Sequence, residues 1–270
     1  MKTRFWTALQ DPFYQAVLVE NGKIIKSIPP EPPRTISRKV GNVGEYNNTL
    51  VLLKHSSFAQ WDKEGETIIQ EFYNKYIYGP HRIVQFGENL LICASALDLF
   101  FLMDIEGNVK WEWWGHENGI GAKPDFFFKE DWTAKHVTSD LARIPTDVTA
   151  HFNSIWLNGE KFLTSALQKR RIIEIAVNKP GFEHIAFTEQ GLHAPMYNDG
   201  TLVYGTNFGL MVGDKKVLPQ FRWVKFVKKI KTGFAFTHER GVVFVDENWE
   251  IMEEVSLPRP FQLAFLEVSE

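Results

Sequence analysis

One cysteine, Cys93, is all that 270 residues contain, and it sits inside an apolar run. No disulfide framework and no CxxC metal knuckle can form within such a chain, so Cys93 is expected to serve as a small buried hydrophobe. No apolar run approaches the length of a membrane span, and Met1-Lys2-Thr3-Arg4-Phe5-Trp6 lacks the apolar core of a signal peptide. These two absences lead to the expectation of a cytoplasmic protein without a membrane partner. Charge of one sign is not in excess either. The formal net charge is −3, and the one dense basic run, Lys228-Lys229 with Lys231, reads as a solvated turn. No nucleic-acid partner is expected. Helical periodicity is nearly missing as well, which points to an all-β chain.

What the chain does have is aromatic residues, 14% of the total with 22 Phe and 9 Trp, as suits packed sheets. It also has repetition. His151-Phe152-Asn153-Ser154-Ile155-Trp156 runs through Asn158-Gly159 into a second apolar strand. His81-Arg82-Ile83-Val84-Gln85-Phe86 does the same through Gly87-Glu88-Asn89, and His193-Ala194-Pro195-Met196-Tyr197 through Asn198-Asp199-Gly200. Each is a hairpin signature opened by a histidine.

A period near 40 residues calls for a repeat architecture. Four-stranded units fit residues 35–75, 80–114, 150–188, 192–218 and 221–257, with inner strands expected at Thr35–Gly41, His81–Phe86, His151–Leu157, His193–Tyr197 and Arg222–Val227. Residues 3–28 supply only three strands, and residues 261–268 supply one without partners. Joining them completes a sixth unit. The expected fold is therefore a single six-bladed β-propeller whose C-terminal strand closes the first blade, an arrangement that leaves no long exposed sheet edge. Pro29-Pro30-Glu31-Pro32-Pro33 is an extended spacer between blades. Residues 115–149 interrupt the repeat, carry His116, Asp125, Trp132, His136 and Asp140, and suggest a short helix at 141–144. They are expected to cover the top face.

In a propeller the first strand of each blade lines the axis, so His81, His151 and His193 should ring one channel mouth. His55 and His238 at the ends of second strands, and His116 and His136 in the long connection, fall on the same face, with His184 the structural exception. Two chemistries suit converging imidazoles. The trio His81, His151 and His193 could bind a transition metal. Alternatively His151 or His193 could act as nucleophile or general base while Asn153 and an arginine steady a developing anion. Arg171 heads that list, with Arg170 and Arg240 near the same loops and Arg82 and Arg222 on inner strands. The bland alternative is that these histidines only pair with the backbone of neighbouring blades.

The histidine-initiated units, with Asp104-Ile105-Glu106-Gly107-Asn108-Val109-Lys110-Trp111-Glu112-Trp113 and His151-Phe152-Asn153-Ser154, resemble blades of the arylsulfotransferase-like propeller superfamily over roughly residues 80–210. Where that family carries an aspartate after the histidine, this chain has Arg82 and Ala194. The resemblance implies sulfuryl transfer between phenols through a histidine intermediate. The expectation that emerges is an enzyme-like pocket for a small, aromatic or anionic molecule. The competing expectation is a propeller that binds a ligand or a protein without catalysis.

Overall fold

A computed structural model describes residues 1–10, 12–34, 39–121, 123–124, 127, 149–188 and 192–269. The strands form six antiparallel sheets of four. They make a six-bladed β-propeller. Pro260–Ser269 is the innermost strand of blade one and pairs with Lys2–Leu9, which closes the ring.

Blade walls follow from strand composition. The second and third strands are buried on both sides and read as continuous apolar runs. In blade three they are Asn89–Ala94 and Leu99–Met103, whose residues from Leu90 onward are all buried. Outer strands meet solvent on one side and alternate, as Ile68–Tyr73 does in blade two. Burial is organised into six apolar clusters, one at each blade–blade interface. Leu91, Phe100 and Leu102 of blade three, for example, pack on Phe162, Ile173 and Ile175 of blade four. Six equivalent seams hold the ring closed, and each contributes apolar area removed from water.

The hairpins between first and second strands take the turns their residues permit. Gly87-Glu88 and Gly159-Glu160 place a glycine with positive φ at the first central position, whereas Asn47-Asn48 and Asp199-Gly200 have positive φ at both. These are the tight turns whose twist matches flanking strands.

Three strand positions differ from expectation. The inner strand of blade two is Val40–Tyr46, with Thr35–Arg38 outside the described residues. The inner strand of blade four is only Trp156–Asn158, because His151 has a φ of 52° and the chain reaches strand geometry later. Blade six begins with Phe226–Ile230, and Arg222 ends the outer strand Lys215–Arg222 of blade five rather than lining the axis. Asp125, Trp132, His136, Asp140 and the helix expected at 141–144 lie outside the described residues.

Candidate functional site at the axial mouth

A single irregularity, repeated around the ring, aims side chains at the axis. In blades one to five the pairing of inner and second strands slips by one residue near the strand entrance. In blade three Pro80 pairs with Ala94 and Arg82 with Cys93, leaving His81 as the extra residue. In blade five the slip falls between His193 and Met196, and in blade one between Pro260 and Leu263. A bulge bends the strand and re-aims the residues at it. Consecutive residues such as His81 and Arg82 can then both face inward, which a regular strand forbids.

The three strand-opening histidines meet at this end. The His81 and His151 rings stand edge to face with centroids 4.9 Å apart, and Phe261 packs on the other side of His81 at 5.5 Å. Asn153 Nδ2 donates to His193 Nδ1 at 2.8 Å and to the Leu192 carbonyl at 3.3 Å. Asn153 Oδ1 in turn accepts from Ser165 Oγ, which bonds Ser154 Oγ at 2.8 Å. With the amide oriented by Ser165 and Leu192, His193 Nδ1 is an acceptor and the neutral ring carries its proton on Nε2.

Burial governs the charge here. Desolvation holds His81 well below the ordinary imidazole range, with the nearby His151, Lys225 and His193 adding to the effect. Burial and then Lys225 and His151 pull His193 down to about 3, and burial lowers His151. All three rings are neutral at pH 7. Lys225, drawn down to about 8 by burial and by the charge of Arg259, donates to Gln10 Oε1 and lies 5.6 Å from the Phe261 ring centre.

His151 is positioned from the neighbouring blade. The buried carboxylate of Asp98 accepts the backbone N–H of Ala150 at 2.7 Å and of His151 at 2.8 Å. That grip holds His151 in the left-handed region, which costs a residue other than glycine about 1 kcal/mol. Asn42 Nδ2 likewise donates to the His81 carbonyl at 2.5 Å. A cavity of about 340 Å³ opens beside His81, lined also by His55, Gln10, Tyr14 and Lys39.

The metal reading of the trio gains no support. Among the described residues no three His, Cys, Asp or Glu side chains are grouped so as to hold a metal ion. His81 and His151 meet edge to face, and His193 Nδ1 is taken by Asn153. Arg171 is not at the mouth. It lies on the third strand of blade four with its guanidinium 4.9 Å from the ring centre of Phe187 on the outer strand. His238 is buried beside Phe221 and 3.5 Å from Glu254, and His184 packs at a tilt against Phe187 with ring centres 4.0 Å apart. His55 packs against Tyr78 and His116 against Trp114. Cys93 is buried and donates weakly to the Phe152 carbonyl at 3.3 Å.

Asp98, Lys225 and Phe261 are the residues that sequence reasoning passed over. Lys225 and Phe261 stand near the inner-strand entrances of blades six and one, where no histidine drew attention to them.

No protein-family model and no curated protein matches the sequence. Solved structures do. A protein of unknown function from Bacteroides caccae matches with 7% identity and a TM-score of 0.65 over 98% of each chain. A streptogramin B lyase matches with 13% identity and a TM-score of 0.61, over 98% of this chain and 87% of that one. A catalytically inactive histidine-to-alanine virginiamycin B lyase from Staphylococcus aureus, solved with quinupristin, matches with 12% identity and a TM-score of 0.58, over 94% of this chain and 84% of that one. At these identities the likeness is one of fold, and the fold this chain shares with them is the β-propeller.

Proposed function

We propose that the histidine end of the axis is an enzyme site where imidazoles perform proton transfer on a small molecule. The observation that carries this reading is the Ser154–Ser165–Asn153–His193 chain, which fixes one buried ring as an Nε2–H donor beside two other neutral rings. A purely structural histidine needs no such relay.

In this scheme His151 accepts the proton, since among the described residues no hydrogen bond occupies its ring nitrogens. The electron pair left on the substrate settles on an oxygen that His193 Nε2–H and the Lys225 ammonium stabilise. Of the two histidines suited by sequence to nucleophilic attack, His151 fits better, because His193 has one nitrogen engaged and the other protonated. The inactivity of the histidine-to-alanine lyase lends support, as it attaches catalysis to a histidine in a propeller of similar fold. Such likeness carries no substrate across.

The test is turnover of quinupristin, 4-nitrophenyl sulfate and 4-nitrophenyl acetate, which separate elimination, sulfuryl transfer and acyl transfer. One of them should be consumed, with kcat reduced about 100-fold or more in His151→Ala and in His193→Phe. Turnover that persists undiminished in both variants would sink the proposal. So would the lack of turnover of all three together with unchanged imidazole resonances of His81, His151 and His193 when they are added.

A further inference from the structure

Below the histidines the axial channel widens into a cavity of about 510 Å³, lined by later residues of the inner strands. That is the size of a small-molecule site, roughly 300–1,000 Å³. Its walls are largely aliphatic and aromatic, and its charged lining groups are Arg82, Lys228, Lys229 and Glu45.

Most of those charges are accounted for. Glu45 Oε1 accepts the Phe265 N–H at 2.5 Å and lies 3.5 Å from Lys228 Nζ. Lys229 Nζ donates to Asn198 Oδ1 at 2.7 Å and lies 3.3 Å from Asp199. Arg82 is different. Its guanidinium stacks over the Phe226 ring at 4.1 Å, no carboxylate among the described residues pairs with it, and its Nε is buried without a hydrogen-bond partner. Burial lowers its pKa to about 9, which still leaves it a cation at neutral pH.

Gln262 lines the same cavity and is 5% exposed. Its Nε2 donates to the Ile83 carbonyl at 2.9 Å, while its Oε1 is buried with no partner. One buried donor on a cation and one buried acceptor therefore belong to side chains that line a single cavity. Native proteins seldom leave either unsatisfied, and leaving both so at one place marks a site. The two residues belong to blades three and one, and each is the inward neighbour of a residue at the mouth, His81 and Phe261.

We infer that the channel holds a second site, for a small organic oxyanion that also carries a hydroxyl or N–H group. The carboxylate or phosphate ester lies against the Arg82 guanidinium, whose fork suits either oxyanion. The hydroxyl donates to Gln262 Oε1. This inference does not depend on catalysis by the histidines.

Calorimetric titration of the full chain at low salt with D-glycerate, glycerol 3-phosphate, acetate and glycerol tests it. Glycerate or glycerol 3-phosphate should bind with a Kd of about 1 mM or tighter, and whichever binds better identifies carboxylate or phosphate as the preferred oxyanion. Acetate should bind about tenfold more weakly, and glycerol not measurably. Arg82→Gln should weaken the hydroxy-anion at least about tenfold, with Arg82→Lys intermediate because charge is kept and the fork lost. Gln262→Met should remove the advantage over acetate. His151→Ala should bind as the wild type does, so a failed channel and a failed histidine site give different results. Failure of both hydroxy-anions to shift any channel resonance of the folded protein at about 20 mM would overturn the inference. An Arg82→Gln variant with native circular dichroism and undiminished affinity would do the same.

Discussion

Two levels of one axis, a residue apart along the chain, hold polar groups buried to similar degrees but resolve them differently. At the mouth, His81, His151 and His193 answer desolvation by giving up their protons, so three potential cations coexist as neutral rings. One step inward, Arg82 cannot do so, and among the described residues its cation is met by the Phe226 ring alone. Imidazole has an ordinary pKa close enough to neutral for burial to discharge it, and guanidinium does not. The mouth is therefore suited to moving protons and the channel to holding a fixed charge. What separates them is a one-residue bulge that turns neighbouring side chains toward the same axis.

The comparison breaks most sharply at Asp98, because the mouth depends on a carboxylate borrowed from the adjacent blade and the channel does not. Blades three and four have matching turns after their second strands. Ala94 and Ala166 share φ −94° and ψ 85°, and Asp98 and Arg170 are both left-handed. Only Asp98 reaches across to the next blade, while Arg170 is exposed. Asp98→Ala leaves two N–H groups without their acceptor and should cost about 3 kcal/mol in urea unfolding. Arg170→Ala should cost less than about 0.5 kcal/mol. Comparable losses for the two would mean that the Asp98 grip contributes nothing beyond an ordinary turn.

A smaller effect separates the levels by pH. His193 has a folded pKa depressed to about 3 from an ordinary value near 6.5. Between those values the unfolded chain binds the proton and the folded one does not. Stability therefore rises with pH across that window, and the contribution is complete above about pH 6.5. As pH falls below 6.5 the loss is about 1.4 kcal/mol per pH unit for each such group. Between pH 6 and 4, His193→Gln should flatten the slope of unfolding free energy by about that amount. Arg82→Gln should leave the slope alone, since Arg82 stays protonated in both states there. Parallel pH profiles for wild type and His193→Gln would refute the neutral-ring account.

The sequence carried the blades, the closing strand and the histidines because those rest on local signals, namely two-residue turns, apolar runs and a residue type recurring at one offset. Arg82 and Gln262 were harder to read. A period of two puts Arg82 on the opposite side from His81 and Gln262 opposite Phe261, and the bulges that cancel this leave no mark in composition. Asp98 was hidden for another reason, since its partners Ala150 and His151 stand some fifty residues away across a blade seam. Lys225 was missed because a single lysine carries no pattern. It becomes notable only once folding sets it beside imidazoles.

Arg171 supplies the smallest and most discriminating prediction. On residue type alone it was the preferred arginine for steadying an anion, and it follows a turn on the histidine face. Its position two strands out from the axis removes that role, and its guanidinium instead covers Phe187, a ring left 68% exposed at the blade rim. An exposed cation–π contact of this kind is worth about 0.5–1 kcal/mol. Arg171→Ala should cost no more than that, with unchanged turnover at the mouth and unchanged anion affinity in the channel. Arg82→Gln, differing by the same charge, should lose channel binding at least about tenfold. A matched pair of charge deletions thus asks whether nearness to the axis or net charge governs binding. If Arg171→Ala weakened anion binding as much as Arg82→Gln, the effect would be the general field of the protein, and the distinction between the two arginines would fall.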